Sequence, residues 1–205
     1  MENNNELTAE RSLEIIKKQI EQSRKDTEKN SGTSLIVWGT MVFITALIVW
    51  YLWSTTGKGM WGFLWFAMAF IGWMLMIWQG KKEKRSHLPK TIITQMMSNV
   101  WLAFGIFASS FPILMFVVAP LLFGKFALGY GITSIIVLLL GMSTTITGLL
   151  LKNGWITAGG IVGGLAGAAS AMLIQGPDEM LVMAGVSLIS LVIPGIMINW
   201  RTKHV

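Results

Sequence analysis

Catalysis and metal binding need acids, bases, nucleophiles or ligands at workable spacing, and this chain offers few. Its two histidines, His87 and His204, lie far apart, and it has no cysteine. Zinc or haem asks for more ligands at closer spacing, so neither a metal nor a cofactor is expected. Asp178 and Glu179 follow Gly176-Pro177. Proline in a first helical turn followed by acids is an ordinary helix start, not an acid–base pair. No phosphate-binding glycine loop and no Gly-x-Ser-x-Gly elbow occurs. Ser143, Thr144, Thr145 and Thr147 cluster, but in a long apolar segment. There a hydroxyl bonds its own helix or a neighbour, typically for less than about 2 kcal/mol. No catalytic residue is expected, and an enzyme ranks below a non-enzymatic role.

The elements that would hold these residues are apolar helices. Hydrophobic residues make up 53% of the 205-residue chain and charged residues 13%, against about 25% charged in soluble domains. The charges fall in short stretches between long uncharged ones, which excludes a soluble globular domain and a disordered chain. A membrane span needs roughly 20 mostly apolar residues. Six segments qualify: Ser34–Trp53, Met60–Trp78, Asn99–Phe123, Phe126–Leu151, Trp155–Ile174 and Glu179–Trp200. The expected fold is therefore all-α and polytopic. It comprises an N-terminal amphipathic arm (residues 1–33), a six-helix transmembrane bundle (34–200) and a short tail (201–205). The mixed-charge start lacks the basic region and short apolar core of a signal peptide, so the N-terminus is expected to be retained.

The net charge of +6 does not point to nucleic acid, because the cations alternate from loop to loop. The arm carries Arg11, Lys17, Lys18, Arg24, Lys25 and Lys29; the loop after the second segment carries Lys81, Lys82, Lys84, Arg85 and Lys90. With Lys152, Arg201 and Lys203, fourteen cations fall on one side of a six-span arrangement. Lys58 and Lys125 fall on the other. The positive-inside rule places both termini in the cytoplasm. Tryptophan favours the membrane interface. Trp38, Trp78, Trp101, Trp155 and Trp200 fall near expected inner ends, and Trp50, Trp53 and Trp61 near outer ones. Lys81, Lys82, Lys84 and Arg85 could bind anionic lipid headgroups or serve only as the topology determinant.

From Thr8 to Lys29 the arm reads as a helix. Ala9, Leu13, Ile16, Ile20, Ser23 and Thr27 follow alternating spacings of four and three. Glu14–Lys18 and Glu21–Lys25 are favourable i, i+4 pairs. With seven acids and six bases in residues 1–33, the arm lacks the basic face of a membrane-surface helix. Leu13, Ile16 and Ile20 suit contact with protein, either its own loops, another subunit or a cytoplasmic partner; a solvated stalk is the plainer alternative. Asn30-Ser31-Gly32-Thr33 reads as a break before the first span, with Gly32 as a helix stop and the best hinge candidate in the chain.

Pro112 in the third segment and Pro194 in the sixth each remove a backbone donor and are expected to kink their helices. Ser109 and Ser110 are placed to help re-satisfy the backbone freed by Pro112, and Ser190 lies at the carbonyl that Pro194 leaves free. In the fifth segment Gly159, Gly163 and Gly167 recur at spacing four, as do Gly160, Gly164 and Ala168. These two adjacent rows form a wide face without bulky side chains. Another helix backbone can approach it closely, within the bundle or in a second subunit.

Ser12-Leu13-Glu14-Ile15-Ile16, Leu35-Ile36-Val37-Trp38-Gly39 and Ile193-Pro194-Gly195 before the basic tail together resemble a group of small uncharacterised bacterial multi-pass membrane proteins. The resemblance implies a bacterial cytoplasmic (inner) membrane and no particular activity. The functional expectation is a non-enzymatic scaffold or regulator acting through its arm, basic loop and glycine face. The alternative is a channel or carrier for a neutral or lipidic solute, using Pro112, Pro194 and hydroxyls such as Ser143 and Thr144.

Overall fold

The computed structural model describes residues 2–83, 92–124 and 131–203. Among these the chain is helical throughout, with no strand. Helix α1 runs from Glu2 to Thr56, about 80 Å at 1.5 Å per residue. It ends where Gly57 takes φ +69° and donates its N–H to the Trp53 carbonyl at 2.9 Å. A 3-10 turn, Gly59–Phe63, leads into α2, Leu64–Glu83. Helix α3, Ile92–Ile113, passes into a π-helical turn, Leu114–Val118, and then α4, Ala119–Phe123. Helices α5 (Ile132–Leu151) and α6 (Gly154–Leu173) form a hairpin. The last span begins as α7, Glu179–Ser187, widens into a second π turn, Leu188–Val192, and closes as α8, Ile193–Lys203.

Among the described residues five stretches are long and apolar enough to cross a membrane: Ser31–Thr56, Ile92–Leu122, Ile132–Leu151, Gly154–Leu173 and Glu179–Trp200. The six expected from sequence are thus five by this measure. The segment expected at Met60–Trp78 opens as a 3-10 turn among Gly57, Gly59 and Gly62 and continues as the apolar start of α2, which stays helical to Glu83. Glycine's conformational freedom favours such tight starts.

The expected break at Asn30-Ser31-Gly32-Thr33 is corrected, because α1 continues through it. Local stop signals yield here to packing. A Cβ on Gly32 would approach Asn199 Oδ1 and lie 3.1 Å from the Gly195 carbonyl oxygen. The missing side chain serves a close helix approach, not a turn. Ser31, buried, points its hydroxyl at Met97 Sδ of α3, 3.8 Å away.

The core lies between α1, α5, α6 and the last span. Leu35, Ala46, Val137, Leu140, Leu151, Ile156, Val186, Leu191 and Ile198 are among its buried side chains. α1 and the last span run antiparallel. Asn199 Nδ2 donates to Thr33 Oγ1 at 3.4 Å near one end, and Trp50 Nε1 donates to Asp178 Oδ1 at 3.0 Å near the other. Between them Gly39 meets Leu191 and Val192. Helix α2 leans on α1, where buried Gly72 admits the Trp38 ring. Helix α3 packs chiefly on α5.

Candidate functional surfaces, a glycine-lined core and an exposed arm

The α5–α6 connection is built by two caps in succession. Lys152 adopts φ 52°, its N–H reaching the Leu149 carbonyl, while the Asn153 N–H reaches that of Gly148. This pair of bonds is a Schellman stop. The Asn153 side chain then accepts from the N–H groups of Trp155 (3.1 Å) and Ile156 (3.4 Å) and starts α6. With so short a link, α6 lies against α5 from its first turn. A Cβ on Gly160 would sit 2.5 Å from the Thr145 nitrogen, and one on Gly164 would sit 2.7 Å from the Gly141 Cα. Gly148 is equally closed by Thr157. The two backbones touch, and only glycine fits.

The second glycine row faces the last span. A Cβ on Gly159 would lie 2.8 Å from the Ile189 carbonyl oxygen and 3.2 Å from Pro194 Cγ. Gly163 sits under the Ser190 hydroxyl, and Gly167 under Val186 with Val137 beside it. Gly159, Gly160, Gly163, Gly164 and Gly167 are therefore all occupied within one chain, one row by α5 and the other by the last span. Gly32, Gly39, Gly141, Gly148 and Gly195 share the same work. Sequence reading took Gly32 for a helix stop and assigned no packing role to the others, although Gly32/Gly39 and Gly141/Gly148 each stand seven apart, which puts each pair on one helix face.

Both π turns stand just before prolines. The Ala119 N–H bonds the Leu114 carbonyl ahead of Pro120, and the Ile193 N–H bonds the Leu188 carbonyl ahead of Pro194. An α-helical proline ring collides with the carbonyl four residues back; a widened turn relieves that collision. In α3 the irregularity lies between Pro112 and Pro120, not at Pro112, through which the helix continues. The Ser109 and Ser110 hydroxyls bond the carbonyls of Gly105 and Phe107, so neither serves the Ala108 carbonyl freed by Pro112. Near Pro194 the widened turn carries Ser190 to α6, where its hydroxyl donates to the Gly159 carbonyl at 3.0 Å.

Three hydroxyls of α5 turn back on their own helix. Thr144, Thr145 and Thr147 donate to the carbonyls of Leu140, Gly141 and Ser143 at 2.9, 2.7 and 2.8 Å. Ser187 does likewise with Ala184 at 2.7 Å. Ser134 is the one buried hydroxyl without a hydrogen-bond partner among the described residues. Glu179 Oε1 accepts from the Gly176 N–H at 3.3 Å, so this acid, like Asp178, holds the start of the last span. Among the described residues no three His, Cys, Asp or Glu side chains gather as metal ligands.

The arm contrasts with this closed interior. Residues 11–20 are exposed on every side, with Leu13 at 67%, Ile16 at 52% and Ile20 at 55%. Of the basic-loop residues, Lys81 and Lys82 continue the backbone of α2, while Lys84, Arg85 and both histidines lie outside the described residues. No known protein family, curated protein or solved structure matches this chain.

Proposed function

We propose that the chain is a non-enzymatic integral membrane protein that acts as a scaffold or regulator by presenting its N-terminal arm to a protein partner. The observation that carries this reading is the unbroken α1. The arm is an extension of a helix wedged into the core by Gly32 and Gly39, so contact with the arm is coupled mechanically to the bundle. The reading takes the bundle as six spans in a bacterial cytoplasmic membrane, both termini cytoplasmic. Three features support it: the alternation of cations, the juxtaposition of Thr33 with Asn199, and an α2 that stays helical to Glu83, about 30 Å over twenty residues. The test is what co-purifies with the intact protein and with a version lacking residues 1–30, at matched membrane expression. A partner lost with the arm supports the reading; no arm-dependent partner sinks it. A reporter fused after Val205 is expected to be cytoplasmic, and an external signal would overturn the topology.

A pathway for a neutral or lipidic solute is the second reading, favoured by the two π turns, a feature frequent at functional sites. Against it, Thr144, Thr147, Ser187 and Ser190 spend their hydroxyls on backbone carbonyls. Solute flux in reconstituted vesicles, lost on changing Ser143 or Thr144, would revive it.

A further inference from the structure

The wide turn of the last span holds one residue more than an α-helical turn. There the Ile193 N–H bonds the Leu188 carbonyl, five residues back. Position 194 is proline and has no N–H, so the Ile189 carbonyl receives neither the four-on nor the five-on backbone donor of a helix. It faces α6 instead, 2.8 Å from where a Cβ on Gly159 would stand. In an α-helical turn the Ile193 N–H would bond the Ile189 carbonyl, and the Pro194 ring would then meet the Ser190 carbonyl. Each arrangement carries one defect, so the neighbours decide between them. The turn Leu114–Val118 has the same donor pattern but, among the described residues, packs on no element outside its own span. The turn in the last span is held on two sides, by Gly39 of α1 at Leu191 and Val192 and by Gly159 and Gly163 of α6 at Ile189 and Ser190.

We infer that this turn is a two-state joint, set by how closely α1 approaches α8. The inference rests on the arm reading above for what moves α1, and it names the element through which that movement reaches the bundle. An α-helix advances by about 100° and 1.5 Å per residue. Losing the wide turn while α7 stays in place therefore carries each residue of α8 to the position now held by the residue after it. Pro194 takes the place of Gly195 against α1. That place admits only glycine while α1 is close: a Cβ on Gly195 would lie 2.8 Å from the Gly32 carbonyl oxygen and 2.8 Å from Ile36 Cγ1. A close α1 selects the π turn. An α1 drawn off α8 by a load on its arm releases the span to the α turn, and α8 rotates.

The natural chain has no cysteine, so introduced pairs report which residue of α8 faces α1. Asn199 meets Thr33 in the π arrangement, Nδ2 to Oγ1 at 3.4 Å. Met197 lies about 160° round the helix from Asn199, and the α turn brings it to the place of Ile198, which borders Gly32. Thr33→Cys with Asn199→Cys, and Thr33→Cys with Met197→Cys, would be treated with a short bifunctional thiol reagent in membranes holding the full-length protein. Mass spectrometry of the digested monomer reads the links. The expected result is a fast link between positions 33 and 199 and one between 33 and 197 at least tenfold slower. Adding Gly195→Ala, which pushes α1 off α8, should raise the second relative to the first at least fivefold. Deleting Ile189 together with Pro194→Ala makes the span a plain α-helix with both ends in their present places, and should keep the first link and abolish the second. No link between 33 and 197 in the otherwise native chain overturns the joint, whether or not either variant folds. An unchanged ratio with Gly195→Ala, or a second link that survives the deletion, overturns it too. The co-purification test reads the arm separately. A partner lost with the arm but no second link keeps the arm and rejects the joint; a second link without an arm-dependent partner rejects the arm as what drives α1.

Discussion

The α5–α6 hairpin with the last span, and the α2 and α3 helices beside them, are all apolar but built on opposite rules. In the most apolar stretches of α5 and of the last span, 50% and 56% of residues are buried; in Ile92–Leu122 the figure is 6%. Where its backbones come closest the buried group places Gly, Ser and Thr, with Val137, Leu140, Ile156, Val186 and Leu191 buried beside them. The exposed group carries Phe66, Phe70, Trp73, Leu102, Phe107 and Leu121 outward. Water would reverse this, because burying large side chains drives folding there. In lipid the surroundings are as apolar as leucine, so burial from solvent gains little between helices. Close backbone approach through small residues decides which helices hold together. The large side chains of α3 lose little by facing lipid chains in place of protein.

The sharpest way to break this comparison is to place one leucine in each region. Gly164→Leu sets a branched side chain against the Gly141 backbone, which cannot move without separating α5 from α6. Overpacking in a well-packed core costs about 1–3 kcal/mol and occasionally more; backbone contact puts this variant at or above the top of that range. A Cβ on Gly105 of α3 has nothing within 4 Å, and Gly105→Leu should change stability by less than about 1 kcal/mol, or raise it through helix propensity. Thermal unfolding in one detergent measures both. Equal losses would mean that α3 is as tightly held as α6.

A smaller effect tests the Ser190 contact. Ser190→Ala removes the hydrogen bond to the Gly159 carbonyl, worth about 0.6 kcal/mol on average between membrane helices. Gly163→Ala pushes a methyl group into the Ser190 hydroxyl and is expected to cost about 1–3 kcal/mol. Because the two changes share one contact, the double variant should lose less than the sum. Strict additivity would show that Gly163 and Ser190 do not meet.

The helices and the two glycine rows of α6 were legible because their signals are local: uncharged stretches of span length, and glycine at spacing four. What stayed hidden depends on partners distant in sequence. Asn30-Ser31-Gly32-Thr33 carries every local mark of a helix stop, yet Gly195 and Asn199, more than 160 positions on, turn Gly32 into a packing residue. Gly39 and Gly141 look incidental until Leu191 and Gly164 lie against them. The π turns were half legible. Proline announces a disturbed helix, but whether the chain kinks or inserts a wider turn depends on the neighbours that accept Ser190 and Pro194.

Effects of similar size lie in the link that closes the hairpin, where the buried region meets its own turn. Asn153→Ala removes the side chain that accepts from Trp155 and Ile156, and loss of such a cap costs about 1 kcal/mol. Lys152 one position earlier holds φ 52°, a left-handed conformation that disfavours any side chain by about 1–2 kcal/mol. Lys152→Gly removes that penalty but adds freedom to the unfolded chain, which costs roughly 0.5–1 kcal/mol. The two terms leave a net gain between zero and about 1.5 kcal/mol, read as a small rise in Tm, with Lys152→Ala as the control that gains nothing. A fall in stability for Lys152→Gly would show that the lysine side chain itself holds the hairpin, through a contact stronger than the backbone strain it imposes.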